Sequence, residues 1–225
     1  MFLQRNNMNF DLVEFAGALG VREPEKFAAK SEILRQILEE ANRQINLTRI
    51  TAPEDFQLKH AADSLLIAAV HPEITQKTLA VADIGCGAGF PSLILALAFE
   101  NLQITSIDST GKKVNFVASA ANALGLKNLH TVHGRAVELN RRKEFQNRFD
   151  IITARAVAPA PSIYRETSRF AKRDGRWIFY KTPGQSAEEL PELTANCRDM
   201  QWFSSDEITL PGDAGTRVFI SGSRK

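Results

Sequence analysis

The chain has 225 residues, of which 44% are apolar and 24% charged, and a formal net charge of +2. Such a composition buries a core without cross-links, and the mild positive charge permits an RNA partner without arguing for one. Cys86 and Cys197 lie far apart with no C-x-x-C or Cys/His cluster, and no signal peptide or 18-residue apolar run stands out; no zinc site, disulfide framework or membrane span is expected, and a reducing, cytoplasmic setting fits.

Residues 9–19 and 25–45 carry apolar residues at spacings of three and four and predict helices, with Ile33, Leu34, Ile37, Leu38, Ala41 and Ile45 on one face. Pro53 opens a third helical pattern that runs to about Val70, where His71-Pro72 breaks it. From residue 79 the pattern changes. Strands are predicted at 79–84, 102–108, 128–134, 149–156 and 175–181, and helices at 91–99, 112–125, 162–171 and 186–197. Pro191 is awkward inside the last of these helices. Residues 200–208 and 216–222 close the chain as strands. Alternation of strand and helix predicts an α/β fold: a mostly parallel twisted sheet with helices on both faces. The two closing strands predict an antiparallel hairpin at one edge. The first seventy residues form a helical extension, giving an expected division into 1–72 and 73–225 within one compact unit.

The first strand runs into VADIGCGAGFP, residues 81–91, which holds Asp83, Gly85, Gly87 and Gly89. The dinucleotide fingerprint G-x-G-x-x-G would need a third glycine where this chain has Phe90. A carboxylate at the mouth of such a loop repels phosphate and suits a cation, and S-adenosylmethionine carries an ammonium, a sulfonium and no phosphate. Asp108 ends the second strand, where an acid can accept hydrogen bonds from both ribose hydroxyls. The competing reading is a tight turn followed by an acidic helix cap.

Several further segments carry a resemblance: INLTRI (45–50), HAADS (60–64), DIGCGAGFPSLILAL (83–97), IDSTGKKVNFV (107–117), GRAVEL (134–139), FDIITARAVA (149–158) and YKTPG (180–184). In this order they resemble the small-subunit ribosomal RNA methyltransferase G family, also called glucose-inhibited division protein B. The resemblance implies a Rossmann-like S-adenosylmethionine-dependent methyltransferase with an N-terminal helical extension. It implies methyl transfer to N7 of a guanine in 16S ribosomal RNA, by a monomer acting on the 30S subunit or an assembly intermediate, with no metal. By the family pattern Gly85 and Phe90 line the cofactor beside Asp83, Gly87 and Gly89, Asp108 holds the ribose, and Ala136 and Val137 flank the adenine. Arg155 and Lys181 are expected at the reacting centre, with Arg155 also beside the cofactor. Asn46, Thr48, His60, Asp63, Ser64, Lys112 and Lys113 are expected at the entrance or on the RNA. The chain departs from the family at Val137, where an acid is usual, at Tyr180–Gly184, and in a C-terminal tail reduced to Gly215–Phe219.

The chemistry agrees with this reading. Guanine N7 has a free lone pair and needs in-line approach, with reacting atoms about 3–3.5 Å apart, rather than a general base. No N-P-P-[FYW]-like stretch for amine methylation follows the fourth strand, and neither cysteine is placed to attack a pyrimidine. Arg155 reads either as a fork for the guanine edge or a phosphate, or as an ordinary ion pair. His60 and Asp63 read either as a clasp over the cofactor mouth or as a polar face tying the extension to the core. The competing functions are a same-fold methyltransferase acting on a small molecule or protein, and a non-catalytic cofactor-binding module.

Overall fold

The computed structural model describes residues 10–225. The N-terminal part is helical: α1 (Leu12–Ala18), capped by the Asp11 carboxylate, and α2 (Pro24–Asn42), opened by its proline. Residue 9, the start of the first predicted helix, lies outside the described residues. The third predicted helix is a broken run: α3 (Pro53–Phe56), a wide π turn over Gln57–Ala62, then α4 (Asp63–Leu65) and α5 (Ile67–Val70). Such a π turn is rare and recurs at functional sites, and here it carries His60.

The sheet follows with β1 (Leu79–Ile84), α6 (Ser92–Ala98), β2 (Leu102–Asp108), α7 (Gly111–Ala123), β3 (Leu129–His133), α8 (Ala136–Leu139) and β4 (Phe149–Arg155). It continues with α9 (Ala160–Thr167), β5 (Ala171–Lys181), α10 (Pro183–Asn196), β6 (Met200–Ser204), β7 (Ile208–Thr209) and β8 (Thr216–Arg224). The strand order is β3-β2-β1-β4-β5-β8-β6, with β7 paired to β8. All pairings from β3 to β5 are parallel, and β8 runs antiparallel to both β5 and β6. The chain thus winds outward from β1 on one side and resumes at β4 on the other. A cleft opens between the carboxyl ends of β1 and β4, where such sheets bind ligands.

Strand residues alternate between two apolar layers. Val81, Ile104, Ile151, Ile178 and Phe219 face a core shared with α6 and α7 and with the N-terminal Leu34, Leu38, Phe56 and Leu65. Ala82, Ile152, Phe179 and Ile220 face the other core, with Ile163 of α9 and Leu193 of α10. Complete burial of Leu34 and Leu38 contributes about 1.5–3 kcal/mol each, which fastens the N-terminal helices to the sheet.

Several boundaries differ from expectation. The helix predicted to reach residue 171 stops at Thr167, because Phe170 and Ala171 already turn into the core and β5 begins there. α10 starts earlier than predicted, where Thr182 and Gln185 form a reciprocal capping box, and it tolerates Pro191 on an exposed face. The strand predicted over 200–208 is split into β6 and β7. The two closing strands do form the expected antiparallel pair at one edge, with β8, whose Val218, Phe219 and Ile220 are all buried, on the inner side and the half-exposed β6 at the rim.

Candidate functional site

The cleft has a volume of about 920 Å³ and is lined by the loop after β1, the ends of β2, β4 and β5, and the π turn. Its floor is the glycine loop. Gly85 has φ +65°, and a Cβ there would lie 2.6 Å from both methyls of Val157; Gly89 has φ +90°, and a Cβ there would meet Leu93 Cδ1 at 2.4 Å. Both positions combine left-handed backbone with close contact, so only glycine fits. Gly85 and Gly87 line the cleft, whereas Gly89 packs inward on α6.

Asp108 clips the loop from the neighbouring strand. Its Oδ2 accepts from the Gly87 N–H at 2.9 Å and its Oδ1 from the Thr110 N–H at 2.8 Å. Each oxygen of a carboxylate can accept a second bond, and Asp108 lines the cleft. The charge is held ready for two further donors.

Asp83 has a different setting. It lies behind the loop, fully buried, and accepts from the Ser92 hydroxyl. Its Oδ1 has no partner among the described residues. Ser106 and Thr153 sit beside it in the same row of the sheet, and their hydroxyls also lack partners among the described residues. Burial pushes the Asp83 carboxyl up to about 7, against the opposing pull of the Ser92 hydrogen bond and the Arg155 charge. An unfolded aspartate titrates near about 3.9. The native state therefore binds the extra proton between about pH 4 and 7, and stability falls as pH rises across that window. Asp83→Asn, which cannot ionise, should lack that fall. In urea titrations its stability relative to the parent should rise from about pH 4 to about pH 7 and then level off. A pH-independent difference would show that the native carboxyl is not held protonated.

The opposite wall is a polar cluster built across long sequence distances. Arg155, at the end of β4, donates from Nη1 to the Lys59 carbonyl at 3.0 Å and to Asp63 Oδ2 at 2.7 Å, and from Nη2 to His60 Nδ1 at 3.2 Å. Arg217 of β8 donates from Nε to the other Asp63 oxygen at 2.8 Å. The His60 ring stacks on Phe90 at 4.0 Å, with an interplanar angle of 6°, and the Arg155 guanidinium lies 5.7 Å over the same Phe90 ring. His60 Nε2 faces Thr48 Oγ1 at 3.3 Å. Burial, and then the Arg155 charge, push His60 down to about 3, so the imidazole is neutral. His60 and Asp63 tie the extension to the core through Arg155, and both line the cleft.

The remaining expected residues are distributed as follows. Phe90, Ala136, Val137, Thr48 and Lys113 line the cleft; Asn46, Ser64 and Lys112 do not. Ser64 lies beneath it, its carbonyl accepting from the Tyr180 hydroxyl at 2.8 Å. Lys181 lines the cleft, but its ammonium is held by Glu189 at 2.8 Å and the Ala158 carbonyl at 3.1 Å. Glu189 also accepts from the Ala160 N–H at 2.6 Å, so this pair ties the loop after β4 to α10. Cys86 is buried, and burial pushes its thiol pKa up, which keeps it in the unreactive neutral form.

Sequence reasoning did not single out Arg217, Val157 or Ala156. Arg217 precedes the apolar Val218-Phe219-Ile220 run of β8, which was the available signal. Ala156 has φ +54°, an uncommon conformation for a residue with a Cβ, and it turns Val157 over Gly85. Val137 and Val157 are 40% and 48% exposed, two of only four large apolar side chains that exposed among the described residues. Both line the cleft. Apolar walls, the glycine floor and the Asp108 carboxylate thus open onto one cleft. Among the described residues no helix is long and apolar enough to cross a membrane.

Comparison with known proteins places this geometry. Residues 28–209 match the GidB family model, described as rRNA small subunit methyltransferase G. Ribosomal RNA small subunit methyltransferase G of Lactobacillus delbrueckii subsp. bulgaricus is 34% identical over 181 residues, covering 80% of this chain and 75% of that protein. The protein of the same name from Leuconostoc mesenteroides is 36% identical, covering 81% and 76%. In fold, the chain is similar to a SAM-dependent methyltransferase from Aquifex aeolicus, with a TM-score of 0.57 and 17% identity over 82% of this chain and 97% of the other. A putative O-methyltransferase from Klebsiella pneumoniae gives 0.59 and 13% identity over 85% and 90%.

Proposed function

This chain belongs to the rRNA small subunit methyltransferase G family, and on that premise we propose that it transfers a methyl group from S-adenosylmethionine to N7 of a guanine in 16S ribosomal RNA. The observation that carries the reading is the cleft itself, in which the glycine loop, Asp108 and the Arg155 fork open onto one space. Asp108 would accept the ribose hydroxyls with its spare lone pairs, Val137 and Ala136 would flank the adenine, and the loop from Gly85 to Gly87 would hold the methionine end. When bound, the cofactor supplies an electrophilic methyl group on a sulfonium.

The protein's part is positioning and electrostatics. Arg155 is fixed by three bonds and keeps donor capacity at the cleft for a guanine or phosphate oxygen. The neutral His60 adds no charge beside a base that becomes cationic on transfer. No general base is required, since N7 carries no proton. Lys113 and Arg135 also line the cleft, and neither forms an ion pair among the described residues. They would meet RNA phosphates, and binding should weaken with added salt. A guanine in a folded RNA must leave its stack to enter the cleft, so the substrate is an exposed loop, on the 30S subunit or an assembly intermediate. The protein acts as a monomer in the cytoplasm.

The test is mass spectrometry of ribosomal RNA from cells lacking the protein. One 7-methylguanosine should be missing from the small-subunit RNA and return on complementation. An unchanged 7-methylguanosine content would refute this function and leave a small-molecule or protein substrate.

A further inference from the structure

Thr48 stands at the end of a chain of hydrogen bonds whose directions are all determined. Arginine has donors and no acceptor, so His60 Nδ1, 3.2 Å from Arg155 Nη2, must present its lone pair. A neutral imidazole with an accepting Nδ1 carries its proton on Nε2. That N–H faces Thr48 Oγ1 at 3.3 Å and also has the Ile50 backbone as a partner, so Thr48 cannot donate to His60. Thr48 Oγ1 also accepts from the Ile50 N–H at 3.1 Å. A hydroxyl has two lone pairs and one proton. Thr48 Oγ1 thus meets two N–H groups, and its own proton has no acceptor among the described residues.

The backbone around Thr48 is fixed as well. Asn42 Oδ1 accepts from the N–H groups of Leu47 and Thr48 at 2.8 and 3.0 Å, and Asn42 Nδ2 donates to the Thr48 carbonyl at 2.9 Å. Thr48 lines the same cleft as Arg155, Phe90 and Gly85. The hydroxyl proton, unused within the protein, is therefore available to a group that enters the cleft.

We propose that Thr48 is a specificity-determining residue whose hydroxyl donates to O6 of the target guanine. The proposal rests on the reading of the cleft as a guanine-N7 methyltransferase site. On its Hoogsteen edge guanine offers two acceptors, N7 and O6, whereas adenine offers N7 and an amino donor. N7 must keep its lone pair for the methyl group, so O6 is the atom left for a protein donor. Adenine would set its N6–H group against the Thr48 proton, and both would be left unpaired. Pyrimidines lack N7. The bond leaves the reacting nitrogen untouched and selects the base that carries it.

The experiment uses 30S subunits reassembled with 16S RNA carrying either guanine or 2-aminopurine at the modified position. 2-Aminopurine keeps N7 and the 2-amino group and lacks O6. On guanine, Thr48→Val should lower kcat/KM about tenfold, with Thr48→Ser near the parent and the S-adenosylmethionine Kd within twofold. Replacing guanine by 2-aminopurine should lower the parent's kcat/KM by a similar factor, and combining both changes should cost no more than either alone. Additive losses, or a Kd that rises as much as transfer falls, would overturn the proposal. Nitrogen-15 NMR of the free protein supplies a check independent of substrate: His60 should be the neutral Nε2–H tautomer, and an Nδ1–H signal would overturn the proposal whatever the enzyme methylates. A parent protein that forms no 7-methylguanosine on the guanine subunits would instead overturn the reading of function on which the proposal rests.

Discussion

Asp63→Ala should destabilise the protein by about 3–5 kcal/mol, the usual cost of removing one partner of a buried ion pair. Asp63 is 3% exposed and holds Arg155 through one oxygen and Arg217 through the other, at 2.7 and 2.8 Å. Its removal leaves two cations in a partly buried site with no carboxylate between them. Total stabilities of about 5–15 kcal/mol are typical, so a large share would be lost. Chemical denaturation measures it as a lowered midpoint. Transfer should fall by about 100-fold even where the variant remains folded, because Arg155 loses the anchor that aims its fork. Asp63→Asn, which keeps the shape and one acceptor, should lose less on both counts. An alanine variant within about 1 kcal/mol of the parent would mean that the two arginines are solvated well enough to stand alone.

Asp108→Ala should raise the Kd for S-adenosylmethionine by about 100-fold or more. Hydrogen bonds to a charged acceptor are worth about 1.5–3 kcal/mol each, and two bonds from a ribose at the lower figure already reach about 3 kcal/mol, or two decades. The variant also frees the Gly87 and Thr110 N–H groups, which now donate to this carboxylate, so the glycine loop loses its clip. Asp108→Asn should lie between, since an amide has one acceptor oxygen where the carboxylate has two. Isothermal calorimetry on the folded variants decides this. Equal affinities for Asp108→Ala and the parent would remove Asp108 from the ribose.

The strands that carry the cleft were legible because their signal is local. Residues 102–108 read as a strand that ends at an acid, and β2 spans Leu102–Asp108. Residues 79–84 run apolar into glycines, and β1 spans Leu79–Ile84. Where a boundary depends on a partner elsewhere, sequence reasoning missed it. The π turn within 57–62 reads as ordinary helix by periodicity. Which strand of the closing hairpin faces the sheet is decided only by the burial of β8 between β5 and β6. The capping box of Thr182 and Gln185 spans Pro183-Gly184, a pair that reads as a turn in sequence.

The site divides along the same line. The glycine spacing, Asp83 before it, Asp108 at the end of β2 and the motif order pointed from sequence alone to a nucleoside pocket for a cationic cofactor and to one family. These features are short-range: a turn that needs left-handed backbone, and a side chain at a strand end. Only the tertiary structure decided which of the polar residues work together. It put Asp83 behind the loop rather than at its mouth, occupied the Lys181 ammonium with Glu189, and brought Arg217 to Asp63. It also fixed the direction of each bond from Arg155 through His60 to Thr48. Proton positions follow from which donors meet which acceptors, and those meetings are made by folding.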